Sequence, residues 1–235
     1  EIYTDVEGVY TADPRKVKDA RKLKEITYNE MLELATLGAG VLHNRSVELA
    51  KKHGVQLVVR SSLNTAEGTT VKEATSMEEK VVSGVAGDKN AARIAVMGLH
   101  DEPGIAFKLF NLLARNNINV DIILQSVGRD GTKDISFTVT EDSADETVEV
   151  IKNNFPRAKY KEIDVETKVA KVSVVGAGML AHPGVAANMF QALYQHDINI
   201  RMISTSEIRV TVLVNEDDME KAMNAVHEAY GLQEA

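Results

Sequence analysis

Residues 99–121 read LHDEPGIAFKLFNLLARNNINVD, and residues 181–201 read AHPGVAANMFQALYQHDINIR. Pro103 pairs with Pro183, Gly104 with Gly184, Phe110 with Phe190, Leu113 with Leu193 and Asn119 with Asn199, each pair 80 residues apart. A fixed period of this size marks a duplicated structural unit. Each copy reads as a strand, a tight Pro-Gly turn, an amphipathic helix, then an Ile-Asn-Ile/Val strand. The turn delivers the chain into a helix N-terminus, where backbone N–H groups lack intrahelical partners and the dipole is positive. A small carboxylate can dock there, with Gly104 or Gly184 allowing close approach. The same residues also fit a plain strand-to-helix turn, since Pro is common at a first helical position.

Working outward, the first repeat predicts a strand at 92–99 and a helix at 104–116 with Ile105, Leu109 and Leu112 on one face. Strands at 118–127 and 134–140 follow, joined by a glycine turn at 128–131, then a helix at 144–155 and a strand at 159–165. The order is βαββαβ. The second repeat predicts a strand at 172–175, a helix at 185–196, strands at 198–204 and 208–215, and a helix from 217. Met219, Ala222, Met223, Val226 and Tyr230 form the apolar stripe of that last helix. This copy is βαββα, one strand short. The segment 80–88, KVVSGVAGD, reads as a lone strand able to complete it. The first repeat (92–166) is therefore expected to be inserted into the second (80–91 plus 167–235).

Upstream, EIYTDVEGVYTADPR ends a β-prone run at Thr4-Asp5 and turns at Asp13-Pro14. An Asp and a Gly at the end of a strand in an α/β sheet sit where ligands bind, although a hairpin-like loop explains them too. Residues 27–30, TYNE, form a capping box opening a helix with Met31, Leu34 and Leu37 as its stripe. A second helix is predicted at 41–52, stopped by Gly54, and a buried strand at 55–60. Residues 1–64 thus read as the last part of an α/β domain, and 65–79 as a linker. The chain opens mid-strand in character and without Met, so a fragment is expected.

With 235 residues, the chain can hold one large or two to three small domains. A net charge of −8 opposes a phosphate-backbone partner, so no nucleic acid is expected. The absence of cysteine excludes disulfides and thiol catalysis. No apolar run approaches a membrane span, and no signal-peptide pattern occurs. The six histidines show no paired ligand spacing, so no structural metal is expected. GAGMLA at 176–181 follows a strand in the GxGxxA form of a dinucleotide fingerprint, but its helix starts only after Pro183 and no acid ends the next strand. An RNA-binding reading of βαββαβ is opposed by the acidity and by 5% aromatic content, without stacking rings on the central strands.

Tandem βαββαβ units with a Pro-Gly turn before the first helix resemble ACT domains, the amino-acid-sensing modules of biosynthetic enzymes. VMGLHDEPGIAFKLF, DIILQSV, KVSVVGAGM, HPGV and MISTSEIRVTVLV resemble the regulatory half of aspartate kinase. YTDVEGVYTADPR and MLELATLGAGVLHNRSVELA resemble the end of its catalytic domain, so the resemblance covers nearly the whole chain. It implies an α/β (α+β) fold: part of an amino-acid-kinase domain, then two ferredoxin-like ACT units, the first inserted into the second. It also implies a cytoplasmic enzyme, dimerised through its ACT units, that phosphorylates the side-chain carboxylate of L-aspartate with ATP and Mg2+ as substrate and no tightly bound cofactor. Thr4, Asp5, Tyr10 and Arg15 would belong to the nucleotide site, Asp5 near the adenosine and Arg15 near the phosphates. Some members of the family carry Lys in a Gly-Ser-Lys or Gly-Ala-Lys turn near the nucleotide; here the turn is Gly38-Ala39-Gly40, so a Lys contact to ATP at Gly40 is not expected. The catalytic Lys and Gly-rich segment expected at the family's N-terminus are absent, so these residues alone are not expected to catalyse phosphorylation.

An amino-acid effector brings a carboxylate, an ammonium and a side chain. Free amides near Gly104, Ile105 and Ala106 can hold the carboxylate; Asp101 or Asp121 can take the ammonium; Gln125 offers a donor and an acceptor to a hydroxyl. Asp101 equally fits a helix N-cap. By resemblance, the inhibitor-site positions are Asp101, Glu102, Pro103, Gly104, Ile105, Ala106, Asn119, Val120, Asp121 and Gln125 in the first repeat. In the second they are Val185, Ala186, Asn199, Ile200, Ser206 and Glu207. Some relatives carry Thr at the position of Ala186. The expected effectors are L-lysine, L-threonine or both. A stand-alone amino-acid-binding regulatory subunit is the competing reading.

Overall fold

A computed structural model describes residues 1–38, 40–74, 81–127 and 131–234. In chain order the elements are β1 (Ile2–Thr4), β2 (Glu25–Thr27), α1 (Tyr28–Thr36), α2 (Asn44–His53), β3 (Leu57–Ser61), β4 (Thr69–Lys72) and β5 (Gly84–His100). They continue as α3 (Ile105–Arg115), β6 (Ile123–Val127), β7 (Thr132–Val139), α4 (Ala144–Asn154), β8 (Glu162–Val175), α5 (Val185–Gln195), β9 (Met202–Thr205), β10 (Arg209–Asn215) and α6 (Met219–Ala229). The chain divides into two compact units, residues 1–88 with 171–235, and residues 89–170.

The unit of residues 89–170 is the first repeat. Its strand order is β6-β7-β5-β8, which in repeat numbering is 2-3-1-4. Both β5 and β6 run antiparallel to β7, so they are parallel to each other. Ile94, Val96, Ile135 and Phe137 meet Leu109, Leu113 and Ile151 in a core from which water is excluded. Phe110 packs edge-on against Phe137, with ring centroids 5.6 Å apart.

The larger unit holds the second repeat and residues 1–74. Here the order is β5-β8-β10-β9. With 84–88 as the repeat's fourth strand, this is 4-1-3-2, the first repeat's order from the other edge. The Ser83 N–H donates to Val175 O at 2.7 Å. The upstream strand therefore does the work of the missing one, and the first repeat interrupts the second. Residues 1–74 form a four-stranded sheet, β1-β3-β4-β2, in which β1 is parallel to β3 and β2 to β4, with β3 and β4 antiparallel. Its core includes Val9, Ile26, Met31, Leu34, Val59 and Val71, and extends to Ala86 of β5 and Val175 of β8.

Helix α1 opens on the capping box anticipated from Thr27 and Glu30. The Glu30 N–H donates to Thr27 Oγ1 at 3.2 Å, and the Thr27 N–H donates to Glu30 Oε2 at 3.1 Å. The Glu30 side chain then does more than cap. Its Oε1 accepts from Ser83 Oγ at 2.6 Å and from the Ala177 N–H at 3.0 Å.

Several expected boundaries differ. The segments 80–88 and 92–99 are one 17-residue strand, β5, because the polar Asp88-Lys89-Asn90 stretch continues the extended backbone instead of turning. Lys80 itself lies outside the described residues. The strands expected at 159–165 and 172–175 are likewise one, β8. The stretch 65–79, read as a linker, contains β4, and β2 was not anticipated; each is four residues or fewer, too short to show a period of two. The second helix starts at Asn44, capped by His43 Nδ1, not at Val41. Residues 128–130 of the expected glycine turn, and Ala39, lie outside the described residues. The GAGMLA stretch ends in a short 3-10 turn at Ala177–Ala181, and α5 begins only at Val185, so no helix N-terminus faces a dinucleotide there.

Replacing Glu30 by Ala leaves the Ser83 hydroxyl and the Ala177 N–H without their acceptor and removes the cap. We expect a loss of about 3 kcal/mol in urea unfolding. A loss under about 1 kcal/mol would show that these donors find water instead.

Candidate functional site

The first site is a cavity of about 320 Å³ in the larger unit. Asp5, Tyr10 and Arg15 line it, as does Gly40. Thr4 does not: its Oγ1 is spent on the Val6 backbone, accepting the N–H at 3.1 Å. The lining alternates between apolar groups (Val9, Leu34, Val41) and the charged run Asp13, Arg15 and Lys16. Such a mixture, and this size, suit a ligand with a flat apolar part and an anionic part. Arg15 makes a two-pronged ion pair with Asp13, Nε to Oδ1 and Nη2 to Oδ2, both at 3.0 Å. That guanidinium holds the Asp13 carboxyl below its usual range. The Arg15 side chain is 87% exposed, so it is free to swing from Asp13 to an incoming phosphate at little cost. Among the described residues no group of three or more His, Asp or Glu side chains could hold a metal ion.

The two Pro-Gly turns have nearly one geometry. Gly104 and Gly184 are the N-caps of α3 and α5, in the left-handed region at φ 87° and 97°, and neither helix has a side-chain cap. A Cβ at either glycine would meet nothing within 4 Å, so glycine is required by the backbone angle and leaves open space above the helix end. The far ends match as well. Asn117 and Asp197 are left-handed at φ 58° and 55°, and the Ile118 and Ile198 N–H groups donate to Leu113 O and Leu193 O at 3.1 and 3.0 Å.

Around the first turn, Asp101 is not the N-cap; its Oδ1 is 2.7 Å from Lys133 Nζ. Glu102 takes Lys159 at 2.7 Å and Lys108 at 3.1 Å, and these lysines, Lys159 first, hold its carboxyl below the usual range. Pro103 is exposed, Ile105 is buried and Ala106 is half-buried. Asn119, Val120 and Asp121 follow α3, and the Asp121 N–H donates to Thr138 O. By register, Thr138 pairs with Arg93, eight residues before Asp101 on β5. Asp101 and Asp121 are therefore roughly 25 Å apart at 3.3 Å per residue. This corrects the expectation that either carboxylate could take one ligand's ammonium at a single site: the βαβ path places them at opposite ends of α3. Gln125 lies between, paired with Ile135 on the exposed edge strand β6.

In the second repeat, Val185 and Ala186 begin α5, while Asn199 and Ile200 follow its other end. Ser206 and Glu207 form the β9–β10 turn, where the Ser206 N–H donates to Arg209 O. Ile208 O accepts the Gly176 N–H at 3.0 Å, which puts this turn at the α5-starting end of the sheet. Sequence reasoning missed Tyr230, whose hydroxyl donates to Val185 O at 2.5 Å; burial pushes its phenol up to about 12. It was counted as one more residue of an apolar stripe, and only its hydroxyl distinguished it. Tyr230 also lines a 440 Å³ cavity with His182, Pro183 and Asn188.

Comparison with known proteins gives these features a class. Residues 94–155 and 172–230 match the family model for the ACT domain, and residues 1–61 match that for the amino acid kinase family. The chain joins an amino-acid-kinase segment to a pair of ACT domains. The aspartokinase of Bacillus sp. strain MGA3 is 50% identical over 233 residues, which are 99% of this chain and 57% of that protein. A structure of aspartokinase alpha and beta subunits is 45% identical, with a TM-score of 0.60, over 64% of this chain and 99% of that one. E. coli aspartokinase III superposes in two structures. With aspartate and ADP the TM-score is 0.83 at 29% identity, over 97% of this chain and 51% of that one. With lysine and aspartate it is 0.77 at 28% identity, over 97% and 50%. The chain belongs to the aspartate kinase family, and it spans 57% of the length of the curated Bacillus relative it matches. No helix of the described residues is long and apolar enough to cross a membrane.

Beside the 320 Å³ cavity, His227 of α6 is 2% exposed and its Nε2 is 2.9 Å from Thr11 Oγ1. Burial pushes its imidazole below the ordinary value, and the Asp19 charge opposes this only in part. The fold therefore favours the neutral ring, while the unfolded chain takes up a proton near pH 6.5. Stability is complete above that pH and falls as pH drops below it toward the folded value. Urea midpoints should decline between pH 7.5 and 5.5, and His227→Gln should flatten the decline. An unchanged slope in the variant would assign the acid sensitivity to other groups.

Proposed function

We propose that the chain supplies the end of the catalytic domain and the whole regulatory region of an aspartate kinase. That enzyme would transfer the γ-phosphate of ATP, as its Mg2+ complex, to the side-chain carboxylate of L-aspartate. Residues 1–64 close the kinase domain, and 65–79 give its sheet the strand β4 before connecting onward. Residues 92–166 are the first ACT domain, and 80–91 with 167–235 the second. Asp5, Tyr10 and Arg15 contribute to the nucleotide site: Val9, Leu34 and Val41 suit the base, and Arg15 and Lys16 the phosphates. Lys16 supplies a cation in a cavity whose glycine turn lacks one. E. coli aspartokinase III was solved with ADP, which supports a nucleotide in this family.

The ACT pair binds L-lysine, L-threonine or both as feedback inhibitor. One observation carries this reading: two uncapped left-handed glycine turns opening α3 and α5, each with free space above the helix end. The Ile105 N–H, expected to be free, already donates to Glu102 O at 3.3 Å, so a ligand carboxylate would be held by the other amides of the first turn. The separation of Asp101 from Asp121 shapes the assembly. A free amino acid is far shorter than the roughly 25 Å between these carboxylates at 3.3 Å per strand residue, so it cannot touch both ends of one α3. A second copy, docked along β6, would bring its own Asn119–Asp121 segment to the first copy's glycine turn. The five residues of β6 are exposed, including Ile123, Leu124 and Val127, which is unusual for an apolar edge strand left in water. The exposed edge supports a homodimer through the ACT domains, and a cytoplasmic location is part of the same proposal. The stand-alone regulatory subunit is disfavoured by the kinase-family match over residues 1–61 and by the core those residues share with β5 and β8.

Calorimetric titration with L-lysine, and separately with L-threonine, should give saturable binding of at least one. Asp101→Ala should weaken that binding about tenfold, near 1.4 kcal/mol, with an unchanged circular-dichroism spectrum. Binding of neither amino acid would overturn the effector reading; full affinity in Asp101→Ala would remove Asp101 from the site.

A further inference from the structure

The 320 Å³ cavity is not built by the kinase segment alone. Val85, Ala86 and Gly87 of β5 and Met223 of α6 line it too, and all four belong to the second repeat by sequence. Met223 was expected only as core, on the apolar stripe of the last helix. It is core, at 1% exposure, and it also contributes to the cavity wall, with its sulfur packed against Gly87. A Cβ at Gly87 would stand 2.4 Å from Met223 Sδ and 3.2 Å from Met219 Sδ. A Cβ at Gly38, in the glycine turn across the cavity, would stand 3.0 Å from Gly87 O. The stack of Gly38, Gly87 and Met223 is closed to within a methyl group, so the thioether has no retreat toward β5.

The same helix grips the loop that carries the cavity's charges. Asn224 Nδ2 donates to Lys16 O at 3.0 Å, one residue from Arg15. His227 bonds Thr11 Oγ1 at 2.9 Å, and that oxygen also accepts the Arg21 N–H at 2.9 Å. Beyond the helix, Arg21 Nε donates to Gln233 O at 2.9 Å. Thus α6 holds the loop 11–21 at two points, the turn after it adds a third at Gln233, and α6 contributes Met223 to the cavity lining.

We propose that α6 of the second ACT domain is a wall of the nucleotide cavity, with Met223 packing on the purine. This rests on the nucleotide reading given above. A thioether is polarisable and unbranched, and it contacts aromatic rings favourably. Leu replaces it with similar volume, whereas Phe fills the space the base needs. Met223 is a binding determinant for the nucleotide, and the helix that carries it belongs to the amino-acid-sensing part of the chain.

The test uses the 235-residue chain with Mg2+-ADP and with 8-azido-ADP as photoprobe. Saturable labelling, competed by ADP, should fall on the C-terminal tryptic peptide 222–235 that contains Met223. Met223→Phe should raise the dissociation constant for ADP at least tenfold, and Met223→Leu should leave it within threefold. Thermal unfolding of each variant shows whether it folds; where Met223→Phe does not, labelling of the unmodified chain decides. Labelling confined to residues 1–41, or ADP binding by a folded Met223→Phe equal to the parent, would overturn the α6 wall and leave the nucleotide reading standing. No saturable labelling or binding anywhere would overturn both.

Discussion

Glu30 is a carboxylate buried to 4% exposure, and it receives four donors: the Thr27 N–H and hydroxyl, the Ser83 hydroxyl and the Ala177 N–H. A buried charge without such partners would cost several kcal/mol, so the side chain holds its position only while all three segments stay in place. One group thereby fixes the start of α1, the approach to β5 and the end of β8. Three residues further along α1, Glu33 pairs with Arg209 of β10 at 3.0 Å. Helix α1 belongs to the kinase segment by sequence, and Ala177 and Arg209 to the second ACT repeat. The two are one body because a helix of the first carries acids that the second must satisfy.

That coupling has a direction. Ala177 precedes the turn that opens α5, and Arg209 follows the turn of Ser206 and Glu207. Both contacts lie at the end of the sheet where Val185, Ala186, Ser206 and Glu207 gather. At its other end, α1 leads into Gly38, and its Leu34 already lines the 320 Å³ cavity. Under the proposed function, an effector that prefers one arrangement of these turns would bias α1 between positions, and the 320 Å³ cavity would register the shift. The reverse holds by linkage: a bound nucleotide would alter effector affinity by the same factor.

The fold was legible where the sequence carried long-range period and local chemistry. The 80-residue offset found both repeats, and the Thr27–Glu30 box found α1. Counting strands placed 84–88 with the second repeat, because a βαββα unit leaves an edge of its sheet unpaired. Strands β2 and β4 escaped because three or four residues show no alternation, and the β5 and β8 breaks were drawn at polar residues that the backbone runs straight through. Asp5 was singled out by its place at a strand end, where α/β sheets bind ligands, while Tyr10 and Arg15 came only from the family resemblance; all three line the 320 Å³ cavity. Met223 is core as its place on the stripe implied, but its share in the cavity wall and the Tyr230 hydroxyl bond to Val185 went unread, since a helical stripe gives no sign in sequence of what lies at a side chain's tip. The separation of Asp101 and Asp121 was equally hidden, for it depends on register across β5, β7 and β6.

The most direct test of the account is hydrogen exchange of the chain with and without a saturating amino-acid effector, L-lysine or L-threonine, whichever binds. The coupled body predicts altered protection at the effector turns and also in α1 and the loop 8–16, which no effector touches. Changes confined to residues 101–127 and 182–207, with α1 unaltered at saturation, would contradict it.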